Sequence, residues 1–117
     1  MLSSTEIGVA IKEGELLVSI DAGQAHPIYM YARVDSGASM SSIDYRMISL
    51  IQEGSDESIV YTDKTKIIKS SLGKEERSVV VTTFTWGDSE FEIEMNSADR
   101  SKVSCPILLG RDWLGTN

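Results

Sequence analysis

An aspartate in a short turn that also contains a hydroxyl and a glycine is the side chain best placed for chemistry. Asp35 is followed by Ser36 and Gly37, directly after the apolar run 28–34. Glycine permits close approach of the backbone in such a turn, and a serine hydroxyl bonds readily to neighbouring backbone groups. Asp, Ser and Gly are also favoured turn residues, so these three alone predict no more than a capped turn.

Chemistry at this turn requires a second carboxylate. Two carboxylates close together in a partly dry cleft cannot both ionise cheaply, so one keeps a proton. The charged member then acts as general base on water, and the protonated member polarises a peptide carbonyl. A chain of 117 residues is too short for two lobes around a cleft. The second copy of Asp35 would therefore come from an identical subunit across a two-fold axis.

Two later segments accompany the aspartate turn. The first, residues 68–80, reads IKSSLGKEERSVV, and the small residues near its centre suit a hairpin tip. The second, residues 106–114, reads PILLGRDWL, where Gly110 allows close backbone packing and Arg111 supplies hydrogen-bond donors. With both segments present, a catalytic role for Asp35 becomes more favoured than a capped turn.

The elements that position these segments are predicted to be mostly strands, with tight turns at 13–14 and 87–88. Segment 41–50 is ambiguous between strand and short helix, 52–58 is polar enough for a loop, and 108–114 predicts the only helix. The predicted strands are 7–11, 16–20, 28–34, 66–69, 77–86 and 91–95. No repeat, linker or low-complexity tract interrupts the chain, so we expect one mainly β domain over residues 1–117.

Composition narrows the classes of partner. The formal net charge is -7, which disfavours nucleic acid. No apolar run approaches the ~20 residues that span a bilayer, and residues 1–6 lack the basic start and apolar core of a signal peptide. We therefore expect a cytoplasmic protein without nucleic-acid or membrane partners.

Together, the three motifs resemble those of the retropepsins, the half-sized dimeric aspartic proteases. The closest resemblance is to a retropepsin-like bacterial and phage family named ATP-dependent zinc proteases, some of which are encoded beside ATP-grasp glutamate ligases. It covers about residues 28–114. The resemblance implies a closed β-barrel with one short C-terminal helix, a homodimer, and an aspartic endopeptidase that hydrolyses peptide bonds of a peptide or protein substrate.

The resemblance also implies a role for each matching residue. A flap at 69–74 would close over an extended peptide and exclude water. The catalytic residues would be Asp35, Ser36 and Gly37. The substrate-binding residues would be Ala38, Ser39, Ser70, Ser71, Leu72 and Gly73. The residues that pack beneath the catalytic turn, with a structural role, would be Leu108, Leu109, Gly110 and Arg111.

The sequence itself argues against the zinc and the ATP in that family name. A catalytic zinc site typically has three protein ligands, whereas this chain has one histidine, His26, one cysteine, Cys105, and no His-Glu-x-x-His motif. It also lacks a phosphate-binding Gly-x-x-x-x-Gly-Lys-Ser/Thr loop. We expect no metal and no cofactor, with His26 at the surface and Cys105 packed as a small buried residue.

Three departures from the family patterns bear on substrate and assembly. Ser39 stands where the closer family commonly has a basic residue, so substrate preference is not carried over. Cleavage of glutamate tails, which the gene neighbours of some relatives imply, would favour a basic cleft. A chain with a formal net charge of -7 offers only local help toward such a cleft, from Arg33, Lys69, Lys74, Arg77 and Arg111. Retroviral enzymes continue past the helix with an interface strand that this chain lacks, so its dimer is expected to be smaller, differently built or absent.

A second function remains open on the sequence. The same fold without catalysis would serve as a peptide-binding module, or as an assembly protein that self-associates through its hairpins. Oligomeric state discriminates between these hypotheses, because a strictly monomeric chain leaves Asp35 without its twin.

Overall fold

Seven strands and two helices make up the computed structural model, which describes residues 14–22, 27–54 and 58–115. In chain order the elements are β1 (Glu15–Asp21), β2 (Pro27–Val34), β3 (Ser42–Asp44), α1 (Tyr45–Gly54), β4 (Ile59–Ser70), β5 (Gly73–Trp86), β6 (Ser89–Ala98), β7 (Ile107–Leu109) and α2 (Arg111–Leu114). The predicted first strand, 7–11, and its turn residue 13 lie outside the described residues.

The strands form one sheet in the order β1-β2-β7-β3-β6-β5-β4. A further pairing between β1 and β5, at Ser19 and Thr85, closes the sheet into a barrel and leaves β4 outside, attached to β5. Strand β7 runs parallel to β2 and antiparallel to β3, while β3 runs parallel to β6. The predicted mainly β closed barrel is confirmed.

The barrel core follows from the alternation of side chains along the strands. Successive residues of a strand point to opposite faces, so a period of two places one apolar set inside. In β1 and β2 the buried residues alternate with exposed ones, and they meet core residues of β5 and β6. The core set from these four strands includes Leu16, Val18, Ile20, Met30, Ala32, Val34, Val80, Phe84 and Met95.

Helix α1 was not predicted as such. The ambiguous segment 41–50 contains both alternatives, because β3 ends at Asp44 and the helix begins at the next residue. The helix runs to Gly54, so the predicted loop at 52–58 was wrong in its first part. Ile48 and Ile51, three residues apart on one helical face, are completely buried in the core. Among the described residues no helix is long and apolar enough to cross a membrane.

The predicted C-terminal helix at 108–114 was wrong in its first half. Ile107–Leu109 form strand β7, and helix α2 is a single turn at Arg111–Leu114. Ile107 and Leu109 are fully buried between β2 and β3, and so short an apolar run has no period that separates strand from helix. Trp113 of α2 packs edge-on against Trp86 and Phe91, with ring centroids 5.9 and 5.7 Å away, and this contact fixes the helix to the barrel.

The β4–β5 hairpin is longer than the sequence predicted. Strands expected at 66–69 and 77–86 extend to Ile59–Ser70 and Gly73–Trp86, joined by a two-residue turn. Gly73 has a φ of 123°, a conformation that side chains disfavour. The hairpin therefore includes the whole segment predicted as a flap, 69–74, and strand β4 begins ten residues before that segment.

The packing of α1 gives a stability prediction. We expect Ile51→Ala to lower the free energy of unfolding by about 2–5 kcal/mol, because it leaves a cavity in the core. Leu50→Ala, on the same helix but half-exposed, is the matched control and should change it by about 0.5 kcal/mol or less. Urea unfolding measures both. Equal losses for the two variants would contradict the described orientation of the helix.

Candidate functional site

Asp35 lies where β2 leaves the barrel. Val34 is the last buried residue of the strand, and the Asp35 amide donates to the Leu109 carbonyl at 2.9 Å. One carboxylate oxygen, Oδ1, accepts the Gly37 amide at 2.8 Å, and the Asp35 carbonyl accepts the Ala38 amide at 3.2 Å. The turn thus fixes its own aspartate while the side chain remains open to solvent.

The predicted structural segment packs directly against this turn. The Arg111 amide donates to the Ala38 carbonyl at 2.8 Å, and the Arg111 guanidinium donates to the carbonyls of Ser36 and Gly37 at 3.2 and 3.4 Å. A Cβ at Gly110 would lie 2.6 Å from the Ala38 oxygen, inside any normal contact distance. Only glycine therefore fits there without moving the backbone of the turn.

A buried serine and an aspartate complete the attachment, and sequence reasoning missed both. Ser41 is fully buried; its amide donates to Asp112 Oδ2 at 2.9 Å, and its hydroxyl donates to Asp112 Oδ1 at 2.6 Å. The same hydroxyl accepts the Gly110 amide at 3.0 Å, and Asp112 Oδ1 also accepts the Trp113 amide at 2.9 Å. The available signal was an acidic residue in the first turn of a helix, where carboxylates satisfy free amides.

A cleft of about 360 Å³ opens beside the turn. Residues 37–40 and Leu108 line one side, and the β4–β5 hairpin lines the other. Among the described residues that line it, three are cationic, Lys66, Arg77 and Arg100, and none is acidic. In a chain with a formal net charge of -7, this is a local reversal of sign.

Two of these cations are fixed by hydrogen bonds. Arg77 donates from Nη1 to Asn96 Oδ1 at 2.9 Å and from Nε to Glu75 Oε1 at 3.2 Å, and Arg100 donates from Nε to the Cys105 carbonyl at 2.8 Å. Burial lowers the pKa of the Arg100 guanidinium, with a smaller contribution in the same direction from Arg77, and Cys105, Asp44 and, least of all, Asp35 partly offset this. Arginine stays protonated in proteins, so the cleft keeps these positive charges.

The predicted substrate-binding residues fall in two places. Ala38 and Ser39 line the cleft. Ser70 ends β4 at the hairpin tip, residues 71–73 are not among the described residues that line the cleft, and Leu72 is 98% exposed. The structure therefore places Ala38 and Ser39 in the cleft beside the Asp35 turn, whereas the described residues of the hairpin tip are not part of the cleft lining.

The cations suggested by the sequence mostly lie elsewhere. Of those five, Arg77 alone lines the cleft, whereas Arg33 pairs with Glu15 at 3.7 Å and Arg111 bonds the turn. Lys66 and Arg100 were missed, because strand pairing rather than sequence distance brings them to the cleft. Cys105 is buried, as predicted, and His26 lies outside the described residues.

Comparison with known proteins identifies the class of fold. No protein-family model matches the chain, and no curated protein sequence matches it. The solution structure of simian foamy virus (mac) protease is similar, with a TM-score of 0.57 and 22% identity over 88% of this chain and 97% of that one. A crystal structure of a Legionella pneumophila protein of unknown function (DUF785) has a TM-score of 0.53 and 18% identity over 86% and 83%. The chain has a retropepsin-like fold.

The contact beneath the turn gives a second prediction. We expect Gly110→Ala to lower the free energy of unfolding by about 1–3 kcal/mol, because the added methyl group collides with the Ala38 carbonyl. Gly87→Asn is the control, since Gly87 has a φ of 61° with open space around its Cβ position and Asn tolerates that conformation. Thermal and urea unfolding measure both, and an unchanged Gly110→Ala variant would rule out the close packing.

Proposed function

We propose that the protein is an aspartic endopeptidase that acts as a homodimer. The observation that carries this is the exposed Asp35 carboxylate, fixed by its own turn at the edge of a cleft, on a retropepsin-like fold. One chain supplies one such turn, so a symmetric pair of chains completes the site.

The mechanism uses Asp35 and the partner's Asp35 as a pair that shares one proton. The charged carboxylate takes a proton from a bound water as the water oxygen attacks the peptide carbonyl carbon. The protonated carboxyl gives its proton to the carbonyl oxygen. When the carbon–nitrogen bond breaks, the amine leaves with the proton that the first carboxylate took from water. As the carbonyl re-forms, the other carboxylate takes a proton from one of the two hydroxyl groups on the carbon, so the pair again holds a single proton.

The remaining residues of the turn position the carboxylate. The Gly37 amide fixes one oxygen of Asp35, which leaves the other free for water or for the twin. A Cβ at Gly37 would lie 3.1 Å from that fixed oxygen, so glycine also keeps the carboxylate in place. Arg111 bonds the carbonyls of Ser36 and Gly37 from below, so its role is to support the turn rather than to react.

Substrate selection follows from the charge of the cleft. Lys66, Arg77 and Arg100 are the charged residues in the part of the lining that the structure describes, which favours peptides with acidic side chains near the scissile bond. The flap function of residues 69–74 belongs to the same proposal: the hairpin tip lies beyond the cleft, from which it would close over a bound peptide.

The finer family assignment is part of the proposal as well. Three motifs in matching order support kinship with the retropepsin-like family named ATP-dependent zinc proteases. The chemistry proposed uses neither ATP nor zinc, because a carboxylate pair activates water by itself. A cytoplasmic location fits such a peptidase.

A peptide-binding module without catalysis is the alternative, and the cleft itself favours it. A cation-lined groove beside an exposed strand pair accommodates an extended acidic peptide whether or not a second Asp35 is present. A protein that stays monomeric at high concentration would support this alternative.

Substitution of the aspartate tests catalysis. We expect Asp35→Asn to abolish cleavage of a peptide library at mildly acidic pH, because the amide can neither accept the proton of water nor share one with its twin. Product masses report cleavage, while circular dichroism and sedimentation report fold and dimer, which should be unchanged.

Asp88→Asn is the matched control, because Asp88 is an exposed aspartate in another glycine-containing turn. It should retain full activity. Activity in Asp35→Asn equal to that of the unmodified protein would refute the catalytic role.

Matched peptides test the substrate preference. We expect a peptide with Glu beside the scissile bond to have a KM about threefold to fivefold lower than its Gln counterpart, the size of an exposed ion pair. Lys66→Glu should remove this difference, whereas Lys102→Glu, outside the cleft lining, should keep it. Equal KM values for both peptides with the unmodified protein would contradict the preference.

A further inference from the structure

The outer part of the β4–β5 hairpin projects from the barrel as an arm. Strand β5 pairs with β6 from Val79 onward, so in the described structure the strand pairing of residues 65–78 is between β4 and β5. Most of these residues are exposed. Since the arm lines one side of the cleft through Lys66 and Ile68, its orientation depends on how its base is attached.

Asn96 of β6 lies at that base and is 2% exposed. Its Oδ1 accepts Arg77 Nη1 of the arm at 2.9 Å. Its Nδ2 and its backbone amide both donate to the Ser41 carbonyl at 3.0 Å. Ser41 is the residue bonded to Asp112 and Gly110 beneath the catalytic turn. One buried amide therefore links the arm to the floor of the turn.

The carboxamide group suits this position because it supplies a donor and an acceptor at once. Its acceptor faces a guanidinium, and hydrogen bonds to charged groups are among the stronger ones. Another side-chain contact between the hairpin and β6 joins Lys64 to Glu94 at 2.8 Å, but both side chains are exposed, and exposed ion pairs contribute little. The Asn96–Arg77 bond is thus the stronger anchor.

We infer that Asn96 is a positioning residue: it fixes the base of the arm to the floor of the catalytic turn and so sets the geometry in which peptide binds. This inference rests on the proposed peptidase function for its kinetic consequence. Its structural consequence, the anchoring of the arm, is independent of catalysis.

Hydrogen exchange measured by mass spectrometry tests the anchoring directly. In Asn96→Ala we expect amide exchange in residues 65–78 to become about tenfold faster, as loss of a charge-assisted hydrogen bond implies. Exchange in β2 and β7 should stay unchanged. Arg77→Met should have the same effect on the arm, and the double variant should be no worse than either single one, since all three lack the same bond. Lys64→Met is the matched control, with arm exchange close to that of the unmodified protein.

Kinetics and a conservative variant separate positioning from general stability. For Asn96→Ala we expect KM for the uncharged Gln peptide to rise severalfold with kcat nearly unchanged, since the arm binds peptide but does not react. Asn96→Asp loses the side-chain donor to the Ser41 carbonyl but keeps the acceptor for Arg77, and the backbone amide of residue 96 still donates to Ser41, so exchange in the arm should be slower than in Asn96→Ala. Slow exchange in the arm of Asn96→Ala would overturn the inference, as would equal acceleration in β2 and β7. If the protein cleaves no peptide, the peptidase proposal fails while the exchange data still decide the role of Asn96.

Discussion

The attachment of the aspartate turn to the segment beneath it is the constraint on which the rest of the site depends. Gly110 lies so close to the Ala38 carbonyl that no side chain fits between them, and Asp112 bonds both the amide and the hydroxyl of Ser41. The turn is therefore bonded at both of its ends to one short stretch of chain. Because these bonds use backbone groups and a buried serine, they fix the position of Asp35 through the chain, while the Gly37 amide fixes its carboxylate.

This attachment exists because of the way the barrel closes. Strand β7 pairs with β2 on one side and β3 on the other, the two strands that flank the turn. Strand β7 follows β3 by more than sixty residues in sequence, yet it lies between β2 and β3, the strands at the two ends of the aspartate turn. Fully buried Ile107 and Leu109 in β7 make that return favourable by removing apolar surface from water. The same strand, β7, therefore completes the hydrophobic core and positions the segment that supports the aspartate turn.

Charge is distributed so that the cleft differs from the rest of the surface. An acidic chain repels anionic ligands over most of its surface, while the cleft gathers cations from β4, from β5 and from the segment after β6. The arginines are fixed by bonds to Asn96, Glu75 and the Cys105 carbonyl. Their orientation is therefore set by the fold before any ligand arrives, which lowers the ordering cost of binding.

Local patterns determined a large part of this protein. The alternation in β1, β2 and β6, the turn at Gly87-Asp88, the Asp35 turn and the mainly β class are all readable in the sequence, because strands and turns depend on neighbouring residues. Strand β7 was misassigned as helix, and the segment that contains β3 and α1 was left ambiguous, since short apolar segments adopt whichever conformation the surrounding core selects.

Only the tertiary structure decided the rest. The pairing of Ser41 with Asp112, the link from Asn96 to Arg77 and the meeting of Lys66 with Arg100 each join residues far apart in sequence. Such contacts depend on strand order and register, which a single sequence does not encode in any local pattern. The sequence thus determined which residue types were available for a site, and long-range pairing determined which of them came together.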